Sequence, residues 1–419
     1  MRKSAVQQTG ALQMSKTNDY WLQAPDAIYV HIPFCLRKCN YCDFTSFPGH
    51  DMQMFSAYVE ALCNEIRTIG SWSERQFPHQ TIRSIYLGGG TPSLIGASLT
   101  DRLIKEIGRH YPLSMDAECT IEVNPGTAQK KDFEAYAAAG INRVSIGLQA
   151  LQPSLLQLLG RIHDADAFAD AVMSARQAGI KNISADLMFG LPGQTNKDVK
   201  DSLGFLIENR VRHVSYYGLM LEPGTPLADI CDRNPDMLPD DEAERCQYHI
   251  IRDDLARSNY LPYEISSSAL PGYQCRHNLT YWQGLPYYGF GVSAHSFIRG
   301  FRRANTSSLK TYLRLFAANG QAAWMKQDNE EASVFSGSAE LEKINRVEAM
   351  KETMLLGLRL TNGVSYSVFY ERFGITMESV FGEEIIGLKQ RGLIVSDQER
   401  VSLTEKGLDL ANQVFMMFV

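Results

Sequence analysis

The chain has 419 residues and a formal net charge of -6, and its composition is 44% hydrophobic and 21% charged. An acidic balance of this size excludes a general electrostatic attraction to nucleic acid or to an anionic membrane surface. The N-terminal segment lacks the apolar core of a signal peptide, and no apolar run approaches the roughly 18 residues that span a bilayer, so we expect a cytoplasmic protein with at most peripheral membrane contact.

Short β-rich runs alternate with amphipathic helical stretches through the first half of the chain. This alternation is typical of βα units around a parallel sheet, and right-handed crossovers close six such units into a partial, open β/α barrel. The sequence therefore predicts an α/β fold, in which Ser98 to Asp101 and Thr195 to Asp198 have the spacing of helix capping boxes. The six predicted strands are 27–34, 83–89, 118–124, 143–149, 182–190 and 213–221.

Three cysteines, Cys35, Cys39 and Cys42, follow the first predicted strand. Their spacing can hold three corners of an iron-sulfur cube and leave one iron without a protein ligand. A structural zinc site usually needs a fourth ligand, often from a second C-x-x-C pair, and the chain has no second pair. The other five cysteines are scattered, which is too sparse for a disulfide scaffold and indicates a reducing compartment.

Polar residues follow the other predicted strands. Strand two ends at the glycine-rich turn Gly88-Gly89-Gly90-Thr91, strand three contains Glu122 and Asn124, strand four ends at Gln149, and strand five contains Asp186. Ligands of parallel sheets lie at the carboxyl ends of the strands, so we expect these groups to surround one site. The alternative is that Glu122 and Asp186 are structural, although buried carboxylates are costly unless they are paired or used.

The pattern changes after about residue 240. An amphipathic helix, an extended segment and an aromatic loop are followed by a winged-helix-like pattern with a hairpin around Ser396 to Arg400. Winged helices often bind DNA, but the acidic chain favours a docking or lid role here. We predict a disordered extension (1–25), the barrel (26–240), an α+β extension (241–335) and a winged-helix-like module (336–419), with a hinge within 300–340.

Gly289, Gly291 and Ala294 have the spacing of a dinucleotide-binding fingerprint. That fingerprint needs a strand before it, a helix after it and an acidic residue about 20 residues later. The chain does not supply this context, so we predict a tight loop.

The C-x3-C-x2-C spacing of the three cysteines, together with YVHIPFC, LGGGTPS, IEVNP, SIGLQ, LGRIH and DLMFGLPGQT, resembles the radical S-adenosylmethionine (SAM) superfamily. Within it, the chain is similar to oxygen-independent coproporphyrinogen oxidases and their heme-chaperone relatives over nearly all of residues 27–419. The resemblance implies a radical-SAM barrel, a 4Fe-4S cluster on Cys35, Cys39 and Cys42, and SAM on the open iron, with Tyr41 near the adenine or a second ligand. The residues that it assigns to SAM are Tyr29, Gly89, Gly90, Thr91, Glu122, Gln149, Arg161 and Asp186.

Two features of the sequence distinguish between the oxidases and the heme chaperones. The oxidases carry a further cysteine two residues after the third, where this chain has Phe44, and residues 277–282 read HNLTYW, which resembles the H-N-x-x-Y-W signature of the heme-chaperone subfamily. The resemblance implies a protein that binds heme and passes it to an apo-hemoprotein, with a possible homodimer. His277 is a candidate heme ligand and Cys275 a second one, but His277 could equally be hydrogen-bonded in a packed loop.

Two other functions stay open at this point. The first is a radical enzyme that acts on a porphyrin, including coproporphyrinogen oxidase, or a related methyltransferase. The second is a scaffold whose cluster is purely structural. No catalytic residue is predicted.

Overall fold

The computed structural model describes residues 22–317 and 338–419. The predicted N-terminal extension therefore lies almost entirely outside the described residues, as does the second half of the predicted hinge. The segment limits predicted above remain predictions.

Seventeen strands form three sheets in the described residues. They are β1 (Ala27–Ile32), β2 (Phe34–Cys35), β3 (Phe47–Pro48), β4 (Ile82–Gly89), β5 (Leu113–Val123), β6 (Arg143–Gln149), β7 (Asn182–Phe189), β8 (His213–Gly218), β9 (Leu261–Glu264), β10 (Ser267–Ala269), β11 (Tyr287–Phe290), β12 (His295–Ile298), β13 (Phe301–Asn305), β14 (Ser338–Lys343), β15 (Val364–Ser365), β16 (Ile394–Ser396) and β17 (Arg400–Leu403).

The helices of the first part cover the outside of the main sheet, and those of the last part belong to a separate core. They are α1 (Met52–Gln76), α2 (Ala97–His110), α3 (Lys130–Ala138), α4 (Pro153–Leu158), α5 (Ala165–Gln177), α6 (Asn196–Glu208), α7 (Pro226–Arg233), α8 (Asp241–Arg257), α9 (Arg276–Trp282), α10 (Leu309–Leu315), α11 (Arg346–Gly357), α12 (Tyr366–Phe373), α13 (Met377–Gln390), α14 (Glu405–Asp409) and α15 (Ala411–Phe415). Short 3-10 turns lie at Pro92–Ile95, Pro235–Met237 and Met416–Phe418.

The main sheet has twelve strands in the order β14-β13-β12-β11-β1-β4-β5-β6-β7-β8-β10-β9. The six predicted strands are β1, β4, β5, β6, β7 and β8, which are neighbours in this order and pair in parallel. A strand that the sequence analysis did not identify, β11, adds a further parallel neighbour beside β1. The sheet ends at β14 and β9 without closing, so the partial barrel is confirmed.

Burial explains why the parallel strands carry nearly continuous apolar runs. Ile28, Val30 and Ile32 of β1 are fully buried on the face that packs against the helices, while the alternate residues Tyr29 and His31 face the barrel interior. A strand buried on both faces needs no polar alternation, and each such side chain contributes about 1.5–3 kcal/mol relative to exposure. The core therefore fixes the position of the strand that leads into the cysteine loop.

The two predicted capping boxes had different outcomes. The Thr195 hydroxyl accepts from the Asp198 amide, and the Asp198 carboxylate accepts from the Thr195 amide. The second box is therefore confirmed. The first is wrong, because α2 begins at Ala97 and its N-cap is Gly96, which has no side chain to cap the helix. The 3-10 turn just before it sets where that helix starts.

The C-terminal residues form the predicted helices and hairpin. Strands β16 and β17 pair antiparallel across the turn at residues 397–399, and β15 adds a third strand. Their apolar side chains pack into a core distinct from that of the barrel. A hydrogen bond between His249 and Asp409 and an ion pair between Arg252 and Glu405 join this module to α8.

Candidate functional site

The cysteine loop is held at both of its ends. Strands β2 and β3 pair in parallel, which closes the segment between Cys35 and Phe47 into a loop that carries Cys39 and Cys42. In the middle, Asn40 donates from its backbone to the carbonyl of Leu159 and from its side chain to that of Leu158. The loop therefore follows the carboxyl end of β1 and is anchored on the end of α4, the helix after β6, as predicted for a site at the mouth of the barrel.

Two donors from outside the loop reach the cysteine sulfurs. The Thr91 hydroxyl lies 3.7 Å from Cys35 Sγ, and Arg161 Nη1 lies 3.5 Å from Cys39 Sγ. Asn124 joins these two donors, because its Nδ2 donates to Thr91 Oγ1 at 2.8 Å and its Oδ1 accepts from Arg161 Nη2 at 2.8 Å. Hydrogen bonds from a hydroxyl and a cation suit thiolate sulfurs, so the donor set fits cysteines that bind iron.

The arrangement of the thiols differs from that of a single-ion site. Within residues 22–317 and 338–419, no group of three or more His, Cys, Asp or Glu side chains is placed to hold one metal ion. The ligands of a four-coordinate zinc must all lie about 2.0–2.3 Å from it, whereas the cysteines of a cluster bind different irons. Burial raises the pKa of both Cys35 and Cys42, which fits thiols whose ionised form needs a positive partner.

Two carboxylates face the barrel interior beside the glycine-rich turn. Glu122 accepts from Tyr86 Oη at 2.8 Å and from the Gly89 amide at 3.0 Å, while the Ser145 hydroxyl lies 3.3 Å from Asp186. Burial, together with the negative charge of Asp186, raises the pKa of Glu122 to about 7. Burial also raises the pKa of Asp186 to about 6, although the nearby Arg143 guanidinium lowers it. Buried carboxylates of this kind fit a cationic ligand.

The glycines of the turn are required by the protein's own packing. A Cβ on Gly89, whose φ is +113°, would lie 2.5 Å from the His31 ring, and a Cβ on Gly90 would lie 2.7 Å from the Phe34 carbonyl oxygen. The turn therefore packs closely against β1 and β2. It brings Thr91 to Cys35 and the Gly89 amide to Glu122.

Gln149 and Tyr41 are two further residues predicted to contact SAM. Gln149 ends β6 with a φ of 68°, a left-handed conformation that is uncommon for a residue with a side chain, and the pairing of β6 with β7 shifts register there. Such conformations cluster at functional sites. Tyr41 packs against an apolar cluster that includes Leu156 and Met188, and it lies near enough to Arg161 and Cys39 for their charges to act on its hydroxyl.

A cavity of about 490 Å³ opens beside the cysteine loop, within the size range of small-molecule sites. Its wall includes both the Glu122 carboxylate and the tyrosines of the aromatic loop, Tyr281 and Tyr287. Its walls are Tyr29, His31, Asp43, Phe44, Thr45, Gly89, Glu122, Tyr281, Tyr287, Ser293 and His295. The Thr45 and Ser293 hydroxyls, 2.9 Å apart, join the cysteine loop to the turn that carries His295.

His277 lies behind this cavity rather than in its wall. It is 1% exposed, and its ring nitrogens are hydrogen-bonded to Ser84 Oγ at 3.0 Å and Tyr281 Oη at 2.8 Å. Burial lowers its pKa to about 3. Cys275 is also buried, and its thiol lies 3.6 Å from Glu118 Oε1. The described geometry therefore gives His277 the role of orienting Tyr281, and direct contact of His277 with heme stays a prediction.

The last residue of the same motif connects to the C-terminal module. The Arg359 guanidinium lies 4.4 Å from the centre of the Trp282 ring, a cation-π contact. The motif thus places Tyr281 at the cavity and Trp282 at the module.

Gly291 and Ala294 of the dinucleotide-like spacing lie in a tight turn, as predicted, whereas Gly289 lies in β11. Gly291 has a φ of +102°, and a Cβ there would lie 2.6 Å from the His31 carbonyl oxygen; a Cβ on Gly289 would lie 1.8 Å from the His295 carbonyl oxygen. The sequence analysis did not identify His31, Tyr287 or His295 as site residues. Tyr287 and His295 could have been identified from the sequence because they flank this turn.

Comparison with known proteins agrees with this geometry. The family described as the Radical SAM superfamily matches residues 29–206, and the HemN C-terminal domain matches residues 344–410. The chain is 35% identical to the heme chaperone HemW of Lactococcus lactis, over 95% of this chain and 98% of that protein. It is 34% identical to the heme chaperone HemW of Bacillus subtilis, over 93% and 98% of the two chains.

Among solved structures, coproporphyrinogen III oxidase (HemN) from Escherichia coli, described as a radical SAM enzyme, has a TM-score of 0.79. The match covers 96% of this chain and 91% of that one at 22% identity. It shows that the two chains share a fold.

Proposed function

Because the chain belongs to the family of heme chaperones named HemW, we propose that it binds heme and delivers it to apo-hemoproteins, using a radical-SAM core with a 4Fe-4S cluster and SAM. The observation that carries this proposal is the cavity of about 490 Å³, which is lined by aromatic rings and adjoins the cysteine loop. A porphyrin is flat and largely apolar, so aromatic walls suit it.

In this proposal Cys35, Cys39 and Cys42 bind three irons of the cluster. The fourth iron is left for the amino and carboxylate groups of SAM. Cluster and cofactor together supply one-electron chemistry when they are bound, and the protein's part is to hold them close and to exclude water.

The proposed SAM contacts divide by charge. SAM carries a sulfonium, an amino group and a carboxylate, so its pocket needs both acceptors and donors. Glu122 and Asp186 supply acceptors, and Arg161 supplies a buried cation beside Cys39. The other proposed contacts are Tyr29, Tyr41, Gly89, Gly90, Thr91 and Gln149.

Phe44 favours heme binding over coproporphyrinogen oxidation. It lines the cavity and is 61% exposed, at the position where the oxidases carry a further cysteine. A phenyl ring can neither bind iron nor transfer a proton, but it offers an apolar surface to a porphyrin. The fold that the chain shares with the oxidase does not decide between the two functions.

We also propose a cytoplasmic location, at most peripheral membrane contact and a possible homodimer. No helix among the described residues is long and apolar enough to cross a membrane. A recipient hemoprotein in or near a membrane would have to be reached by docking, for which the C-terminal module is the proposed element.

The test has two arms on the full chain with its cluster reconstituted without oxygen. In the first, heme is titrated in and followed by absorption, and the loaded protein is mixed with an apo-hemoprotein whose recovered activity is measured. In the second, coproporphyrinogen and SAM are added and protoporphyrinogen is assayed. Heme uptake and transfer without decarboxylation are expected; turnover of coproporphyrinogen would overturn the chaperone assignment.

A further inference from the structure

We propose that His295 is the protein ligand to the heme iron, and that the porphyrin lies in the cavity against Phe44, Tyr281 and Tyr287. This inference rests on the proposed heme binding and goes beyond it by naming the iron ligand and the aromatic contacts.

The first step is the identity of the cavity histidines. All nine histidines of the chain lie in the described residues, and two of them, His31 and His295, line the cavity. His31 is engaged at both ring nitrogens, by Tyr29 Oη at 3.0 Å and by the Thr45 carbonyl oxygen at 2.9 Å. A histidine must present a free nitrogen to bind iron, so His31 is unsuited to the role.

The second step is the exposure and hydrogen bonding of the His295 ring. Its side chain is exposed, and within the described residues no hydrogen bond or ion pair engages its ring nitrogens. Imidazole is a common ligand of heme iron, and an unengaged imidazole in a cavity wall is free to bind it. His277 is the opposite case, because it is buried and both of its ring nitrogens are hydrogen-bonded.

The third step concerns the aromatic walls. Tyr281 and Tyr287 lie with ring centres 4.7 Å apart in an edge-to-face pair, and the hydrogen bond between Tyr281 and His277 fixes the orientation of Tyr281. Phe44 is a large exposed apolar side chain on the cysteine-loop side of the same cavity. Phe44 is exposed whereas Tyr281 and Tyr287 are half-buried. Aromatic walls around a polar anchor are typical of sites that bind a flat ligand.

The fourth step is the rigidity of the backbone that carries His295. His295 begins β12 directly after the tight turn at residues 291–294, in which Ser293 has a φ of 56°. Its backbone lies so close to β11 that Gly289 leaves no space for a Cβ. The hydrogen bond between Ser293 and Thr45 holds the turn against the cysteine loop. The imidazole is therefore carried on a fixed backbone.

The experiment compares two ligands that differ only in iron. Hemin and metal-free protoporphyrin IX are titrated into the cluster-loaded full chain and into its His295→Ala variant. Protoporphyrin IX needs the aromatic walls but no iron ligand. We expect His295→Ala to weaken hemin binding by at least about tenfold, the scale of losing a group at a metal centre, and to leave protoporphyrin binding unchanged.

Added imidazole should restore the absorption spectrum of the hemin complex of His295→Ala. The matched control is His79→Ala, since His79 is an exposed histidine that precedes β4 at the opposite end of the strands. This control should bind both ligands like the unmodified chain.

Three results would overturn the inference. Unchanged hemin affinity and spectrum in His295→Ala would mean that another group binds the iron. Equal weakening of both ligands would mean that the substitution merely deforms the cavity. Failure of the unmodified chain to bind hemin at all would remove the proposed function together with this inference, which distinguishes it from the first two results.

Discussion

Arg161 donates from Nη1 to the sulfur of Cys39 across 3.5 Å, although the two residues are 122 positions apart in the chain. The same guanidinium donates from Nη2 to Asn124 and to the Gly147 carbonyl oxygen. One cation therefore joins the cysteine loop to the ends of two parallel strands, beside one of the thiols proposed to bind the cluster.

Replacing Arg161 with Ala is expected to weaken SAM binding about 10- to 100-fold, because a hydrogen bond to a charged group contributes about 1.5–3 kcal/mol. Calorimetric titration of SAM into the cluster-loaded protein measures this change. The control is Arg176→Ala, which removes a guanidinium bound to the Asn209 carbonyl on the outer surface. Equal SAM affinity in both variants would contradict the proposed role of Arg161.

Replacing Cys39 with Ala should abolish the cluster and leave most of the fold intact, because the loop lies at the mouth of the barrel and outside its core. Iron and acid-labile sulfide analysis, with the absorption of the reconstituted protein, measures the loss. Cys246→Ala is the matched control, since Cys246 is an exposed thiol on α8. A full iron and sulfide load in Cys39→Ala would show that the cluster assignment is wrong.

Glu122 is expected to make the stability of the cofactor-free protein depend on pH. Its pKa is raised from 4.5 to about 7, so the folded state holds a proton that the unfolded state has released between these values. The contribution of Glu122 to the free energy of unfolding is therefore greatest below pH 4.5 and falls as pH rises to about 7.

The Glu122→Gln variant measures this effect. Its stability relative to the unmodified chain should rise between pH 4.5 and 7 and level off above that range. Denaturant unfolding at a series of pH values gives the comparison. A difference between the two chains that stays constant with pH would show that Glu122 ionises normally in the fold.

Two glycine substitutions should change the stability of the protein in opposite directions. Gly90→Ala would place a Cβ 2.7 Å from the Phe34 carbonyl oxygen, so we expect a loss of about 1–3 kcal/mol and a displaced Cys35. Gly108 lies within α2 with nothing within 4 Å of the same position, so Gly108→Ala should stabilise the protein by roughly 0.5–1 kcal/mol. Thermal unfolding of both variants tests the pair, and similar effects of the two would refute the close-packing argument.

His277→Ala is expected to destabilise the chain by about 2–3 kcal/mol, since it leaves Ser84 and Tyr281 without their partner inside a packed region. Heme affinity should fall moderately through the displaced Tyr281, while the cluster content and the iron-ligand spectrum stay unchanged. Tyr281→Phe, which keeps the ring, should lose less stability. A changed iron-ligand spectrum in His277→Ala would instead favour direct ligation by His277.

Local patterns predicted much of this protein. The six parallel strands, the helices between them and the Thr195 capping box follow from periodicity and turn chemistry, which depend on neighbouring residues. The strand β11 was missed because four residues, Tyr287–Phe290, are too few to show a period. The start of α2 was predicted wrongly because the turn before Gly96, rather than a capping side chain, determines where the helix begins.

The sequence alone determined the chemistry that the chain can offer, namely three closely spaced thiols, polar strand ends and an aromatic motif. Only the tertiary structure decided which of these groups meet. Arg161 reaches Cys39, and His277 turns away from the cavity that His295 enters, because contacts between distant residues depend on strand order and packing. Residue spacing along the chain records which groups are present, whereas burial and hydrogen bonding in the fold determine which of their atoms remain free to bind a ligand.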